Sequence, residues 1–213
     1  MENIDLNSII SSGALIRTKF DKTEWISNVT YKVFDSIIQI ELTQDYVNKL
    51  VMVGDTVKCK VSTSLTEYVL DGIVDNIEIE KSKTMSIRIL NINKFENARQ
   101  NNRYDAYIIS KITINREPAI FSVVTSLSTS GISVLSKSEL PNNSDAFVEV
   151  FVDSGNTIRF YGNIVRKSLT ENGYEYGIKF KQLDQQNEDM LVNVLSEYKS
   201  KEEGLLKKFL EQK

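Results

Sequence analysis

The chain has 213 residues, 41% of them hydrophobic and 26% charged, with a formal net charge of −3. That length suits two domains of about 100 residues each, and the charge has the wrong sign for a general nucleic-acid surface. Histidine is absent and cysteine occurs once, which removes Ser-His-Asp and Cys-His catalysis, His-containing zinc sites and any disulfide framework.

No apolar run approaches the length of a bilayer span, and the opening MENIDLNSII lacks the basic-then-apolar layout of a signal peptide. A cytoplasmic setting without membrane insertion is expected. The 29 acidic residues fall into no spacing that stands out from a solvated surface, so no enzyme, metal or cofactor is expected.

Residues 1–12 read as a short leader, loose or helical, ending at Gly13. From there the period is two. Val29, Tyr31 and Val33 alternate with polar residues, as do Ile38, Ile40 and Leu42. Gly54-Asp55 opens a run through Val57, Cys59 and Val61, and further runs follow around Tyr68 to Val74, Ile77 to Ile79 and Met85 to Ile89. Such alternation buries one face and wets the other, as in an antiparallel sheet. Several short strands at this spacing predict a small barrel or sandwich. Cys59, in phase with its neighbours, is expected to be a small buried core residue.

The segment Asn91 to Asn102 is asparagine-rich and has neither period, which predicts a linker. A second β series follows: Tyr107 to Ile114, Ile120 to Val124, Ile132 to Leu135, Phe147 to Val152, Ile158 to Val165 and Tyr174 to Phe180. Asp153 to Asn156 and Asn172-Gly173 mark turns. Between two of these strands lies Thr125 to Gly131, a run of small residues that lets backbone come close to a neighbour. Its glycine allows positive φ at no steric cost.

The last thirty residues change period. Leu191, Val194, Leu195, Tyr198, Leu205, Leu206 and Phe209 fall largely at three-, four- and seven-residue steps, an amphipathic helix with Asp184 as N-cap. Gly204 is expected to weaken or bend it by about 1 kcal/mol relative to alanine. The helix either covers its own barrel or uses its distal half for a dimer or partner contact.

Two features together resemble the PilZ domain: a linker carrying arginines that feeds a strand, and a D/N-x-S-x-x-G turn after the second strand, here Ser126 to Gly131. The strand Tyr176 to Leu183 followed by a helix resembles the end of that domain. Leu50-Val-Met-Val-Gly-Asp55 with the strand after it is similar to the β domain that precedes PilZ in flagellar-brake (YcgR-like) proteins. The resemblance implies an all-β chain of two small antiparallel barrels in tandem. Residues 1–93 would be the N-terminal barrel and 94–106 the linker. Residues 107–213 would be the PilZ-type barrel, with a C-terminal helix over about 184–211.

The resemblance also implies cyclic di-GMP as ligand. Its phosphates and guanine edges favour arginine, whose planar fork bonds bidentately and stacks. The family linker reads approximately Q-R-R-x-Y-x-R. Aligned on Gln100 and Tyr104, this chain has Asn101, Asn102 and Ala106 where arginines are expected, and an offset Arg99-x-x-x-Arg103. In the turn Ser128 and Gly131 match, while Ser126 replaces an acidic or amide residue. The candidate ligand-binding residues are thus Arg99, Arg103, Ser126, Ser128 and Gly131, with Arg159 or Arg166 as substitute cations. Two lost arginine contacts would cost roughly 3–6 kcal/mol, some hundreds- to ten-thousand-fold in affinity. The expectation is a non-enzymatic regulatory module of cyclic di-GMP signalling whose direct binding is weakened or lost. It would act through a protein partner or through self-association by the C-terminal helix. The alternative is a working receptor, clamping its two domains through Arg99, Arg103 and the Ser126–Gly131 turn and controlling motility or surface behaviour.

Overall fold

The computed structural model of the chain describes residues 6–20, 24–63, 66–96, 101–115 and 117–211. It divides into two compact units, residues 1–98 with 200–213, and residues 99–199. Each contains one closed, six-stranded antiparallel barrel. No helix among the described residues is long and apolar enough to cross a membrane.

In the first unit a 3-10 turn, Leu6–Ser8, precedes β1 (Leu15–Lys19), β2 (Ile26–Phe34) and β3 (Ile37–Glu41). A short helix α1 (Gln44–Asn48) leads to β4 (Thr56–Ser62), β5 (Thr66–Glu78) and β6 (Thr84–Glu96). The barrel closes in the order β1-β2-β3-β6-β5-β4. Its interior is the alternate set seen in the sequence: Ile38 and Ile40, Val57, Cys59 and Val61, Leu70, Met85 and Ile87. Cys59 is fully buried, and loss of hydration pushes its thiol pKa up to about 12. The leader is part of this core, because Leu6 and Ile10 are buried.

Helix α1 is too short for a helical period to register. Its Tyr46 plugs one mouth of the barrel, with no side-chain exposure to solvent. The phenol oxygen lies 3.0 Å from Thr18 Oγ1 and accepts from Asn28 Nδ2 at 3.2 Å, while Phe20 meets the ring edge-on at 5.9 Å. This buries the phenol hydroxyl with two buried polar partners, so it is not left orphaned.

The second unit holds β7 (Tyr104–Thr113), β8 (Ile120–Ser128), β9 (Gly131–Ser136), β10 (Asp145–Phe151), β11 (Thr157–Thr170) and β12 (Gly173–Gln182). Their order is β10-β11-β12-β9-β8-β7, closed by pairing of β7 with β10. Ile112, Val124, Ile132, Val134, Val148, Phe160 and Ile178 fill it. Helix α2 (Gln185–Glu211) follows. Asp184 caps it as expected, its Oδ1 accepting the Asn187 N–H at 2.9 Å, and this bond holds the Asp184 carboxyl below the usual range.

Leu191, Val194 and Leu195 of α2 are buried with the core of the second barrel. The residues from Ser200 onward belong to the first unit. There Phe209 is buried, its ring lies edge-on to Tyr31 at 5.4 Å, and it fills the space where a Cβ on Gly13 would stand. Lys208 pairs with Glu41 at 2.6 Å and Arg17 with Glu202 at 2.5 Å. The helix runs unbroken through Gly204, so the expected weakening there does not end it. Most of its apolar stripe is already covered by the chain itself.

The strands outrun the boundaries drawn from sequence. β6 continues to Glu96, past the domain boundary placed at 93, and β7 starts at Tyr104, inside the 94–106 linker. The pairing Thr66↔Glu96, Glu67↔Phe95 and Tyr68↔Lys94 keeps the backbone in a ladder. Nearly every side chain of that ribbon is wet on the β6 side, so no apolar alternation marks it.

Candidate ligand site

Strands β8 and β9 are joined by the two-residue turn Thr129-Ser130. Ser128 is fully buried. Its Oγ donates to the Gly131 carbonyl at 2.9 Å and accepts the Ser130 N–H at 3.3 Å. A hydroxyl so engaged shapes the turn.

Gly131 does not use the positive φ open to it; among the described glycines only Gly13, Gly54 and Gly173 do. Its reason is close approach instead. A Cβ there would stand 2.3 Å from the Ile178 carbonyl oxygen of β12. The glycine admits a neighbouring strand, which is the other property read from this small-residue run.

Ser126 is half-buried and lies on a rung with Asp105 of β7 and Ser133 of β9. Register shifts flank it, between Asp105 and Ile108 on one side and between Val124 and Ser126 on the other. Such irregularities re-aim side chains. Arg103, just before β7, donates from Nη1 to Ser133 Oγ at 3.1 Å. The structure therefore brings Arg103 to the rung that carries Ser126. Arg99 lies outside the described residues.

The substitute cations are engaged elsewhere. Arg159 pairs with Glu149 at 3.1 Å and Arg166 with Glu175 at 3.3 Å, all on the outside of the second barrel. Ala106 packs against the core of that barrel.

Beside the turn is an open cleft of about 450 Å³. Asn101, Asn102 and Tyr104 form one wall, Thr129 comes from the turn, and Leu195, Ser196 and Lys199 come from α2. Tyr104 is backed by Tyr198, stacked at 6.1 Å. The walls offer carboxamides, hydroxyls, an aromatic ring and one ammonium group. That set hydrogen-bonds polar groups and meets one negative charge, and among the described residues its lining contains no guanidinium fork. The helix residues Ser196 and Lys199 went unseen in the sequence, because nothing in an amphipathic pattern tells a cleft wall from a wet face. Among the described residues no group of three or more His, Cys, Asp or Glu side chains converges to hold a metal ion.

A closed six-stranded barrel, entered through a polar linker and followed by a packed C-terminal helix, with its cleft between linker, hairpin turn and helix, defines the class of the second unit. Residues 97–197 match the PilZ domain, so the second unit is a PilZ domain.

Solved structures similar to this chain include YcgR of Escherichia coli in complex with c-di-GMP, with 11% identity, covering 96% of this chain and 90% of that one at a TM-score of 0.49. The inhibitor of motility MotI/DgrA of Bacillus subtilis has 10% identity, covering 90% and 99% at a TM-score of 0.46. The MrkH–c-di-GMP complex of K. pneumonia has 11% identity, covering 88% and 90% at a TM-score of 0.43. No curated protein sequence matches the chain.

Proposed function

We propose that the protein is a non-enzymatic regulatory module of cyclic di-GMP signalling that works through protein contacts, with direct binding of the dinucleotide weakened or lost. The PilZ match over residues 97–197 supports the signalling context. The observation that carries the weakened binding is the wall of the cleft: Asn101 and Asn102 stand there where the family pattern puts arginines. A carboxamide offers a neutral donor and acceptor in place of a charged fork, so both Coulombic and bidentate contributions are gone. Motility or surface behaviour is the output implied by the flagellar-brake resemblance.

Calorimetric titration with cyclic di-GMP at tens of micromolar is the test. The expected result is no saturable heat under conditions where an intact PilZ receptor responds. Saturation in that range would overturn the reading. It would favour the receptor reading instead, which has its own support in the approach of Arg103 to the Ser126 rung.

A partner contact through α2 would use what the fold leaves uncovered, chiefly Val192 and Leu210, which are exposed. Phe209 and the buried residues Leu191, Val194 and Leu195 are spent inside the chain.

A further inference from the structure

The cleft beside the Thr129-Ser130 turn has a graded wall. On α2 it is lined by Val192, Leu195, Ser196 and Lys199, spaced i, i+3, i+4 and i+7, which is one stripe of a helix. The stripe is apolar toward the start of the helix and polar toward its end. The linker side contributes Asn101, Asn102 and Tyr104, and the hairpin tip contributes Thr129. The Tyr104 and Tyr198 rings lie 6.1 Å apart with their planes 20° from parallel, and both pack against the core of the second barrel. The ring is therefore in place before anything binds, which spares a ligand the cost of ordering it.

Lys199 is the one charged side chain among the lining residues, and no carboxylate stands with it. The lining thus complements a single negative charge. Its other groups fit the remaining parts of one small molecule. An aromatic ring stacks a flat heterocycle. A carboxamide presents donor and acceptor side by side, the pairing that reads a purine edge. The Thr129 and Ser196 hydroxyls bond neutral sugar oxygens. The volume of about 450 Å³ lies within the range of about 300–1,000 Å³ typical of small-molecule pockets.

We propose that the cleft binds a purine 3′,5′-cyclic mononucleotide: one base, one sugar and one phosphodiester bearing a single negative charge. The inference rests on the reading above, in which the cleft has lost its grip on the dinucleotide. Cyclic di-GMP brings a second base and a second phosphodiester. A phosphate monoester carries about −1.5 to −2 at neutral pH. Either leaves charge facing neutral amides, and desolvating charge without a partner is unfavourable.

Titration calorimetry of the full chain with cyclic AMP, AMP, adenosine and cyclic di-GMP tests it. Cyclic AMP is expected to saturate below millimolar concentration. Adenosine, which lacks the phosphate, should bind about tenfold more weakly or worse, equivalent to about 1.4 kcal/mol. Lys199→Gln should weaken cyclic AMP by the same factor and, because Lys199 is exposed, leave the unfolding midpoint at the parent's value. The adenosine comparison uses the parent alone, so it holds even if the variant misfolds. The proposal is overturned if cyclic AMP gives no saturable heat up to millimolar concentration, if adenosine binds equally well, if AMP binds more tightly, or if Lys199→Gln binds like the parent. Cyclic di-GMP separates the two readings: its saturation overturns the weakened-binding reading, whereas silence from both cyclic nucleotides overturns this proposal alone.

Discussion

Arg103 reaches Ser133 with its guanidinium at 3.1 Å, and Ser133 is the cross-strand partner of Ser126. The arginine that the family frame leaves displaced is thereby fastened to the β8–β9 hairpin, which turns at Thr129-Ser130. Arg103→Ala should cost about 1.5–3 kcal/mol, the contribution of a hydrogen bond to a charged group. Chemical denaturation of the second unit reads this. If Arg103 were also a ligand clamp, the variant would abolish a dinucleotide response that the parent possesses.

Restoring the family residues tests the reading of the cleft from the other side. Asn101→Arg/Asn102→Arg places two guanidinium groups on its wall. Each charged hydrogen bond contributes about 1.5–3 kcal/mol. Affinity for cyclic di-GMP should therefore tighten by roughly hundreds- to ten-thousand-fold. Titration calorimetry of parent and variant side by side measures it. An unchanged isotherm would mean that the linker amides are not what limits binding.

Much of this was legible in the chain because the physics is local. Val57, Cys59 and Val61 alternate because one face of β4 points into the barrel, and the C-terminal helix shows its cap at Asp184. Three features were hidden for identifiable reasons. Strand β6 past Ile89 keeps its backbone pairing with mostly wet side chains, so its hydropathy resembles a loop. Helix α1 spans five residues, less than two turns. The cleft was only half visible: Asn101 and Asn102 were singled out against a family frame, but Ser196 and Lys199 join them through a long-range contact. Of the two properties that a glycine at 131 offers, Gly131 uses close strand approach and not positive φ, and the two leave the same letter in the sequence.

That proximity makes Gly131→Ala a severe test of the second barrel. The new methyl would stand 2.3 Å from the Ile178 carbonyl oxygen and 3.1 Å from the Lys179 Cα. Both are backbone atoms of a paired strand and cannot rotate away. The expected destabilisation is about 2–3 kcal/mol or more, read as a lower denaturant midpoint. A variant as stable as the parent would show that β9 and β12 can separate without penalty.

In the first barrel, Tyr46→Phe isolates the hydroxyl from the ring. The ring would still plug the mouth, but Thr18 and Asn28 would each lose a buried partner. Asn28 keeps its bond to the Glu41 carbonyl at 2.8 Å, which limits the damage. A loss of about 1–3 kcal/mol follows from leaving buried polar groups unsatisfied, with the same secondary structure by circular dichroism.

Alkaline pH should probe the same interior through Cys59. Burial raises its thiol pKa to about 12 in the fold, so the native state retains a proton that the unfolded chain releases near the ordinary thiol value. The unfolded state then binds fewer protons, and stability must fall as pH rises. The contribution is whole below the ordinary thiol pKa and is lost as pH climbs toward about 12, with a slope of up to about 1.4 kcal/mol per pH unit for this one group. Tyr46, whose phenol pKa burial also raises, adds to the loss above the ordinary tyrosine range. Urea melts at a series of pH values should give a shallower alkaline decline for Cys59→Ala than for the parent, even though the alanine lowers stability at neutral pH. Equal slopes would mean that water reaches the thiol and that the barrel interior around Leu70 and Ile87 opens more readily than its packing implies.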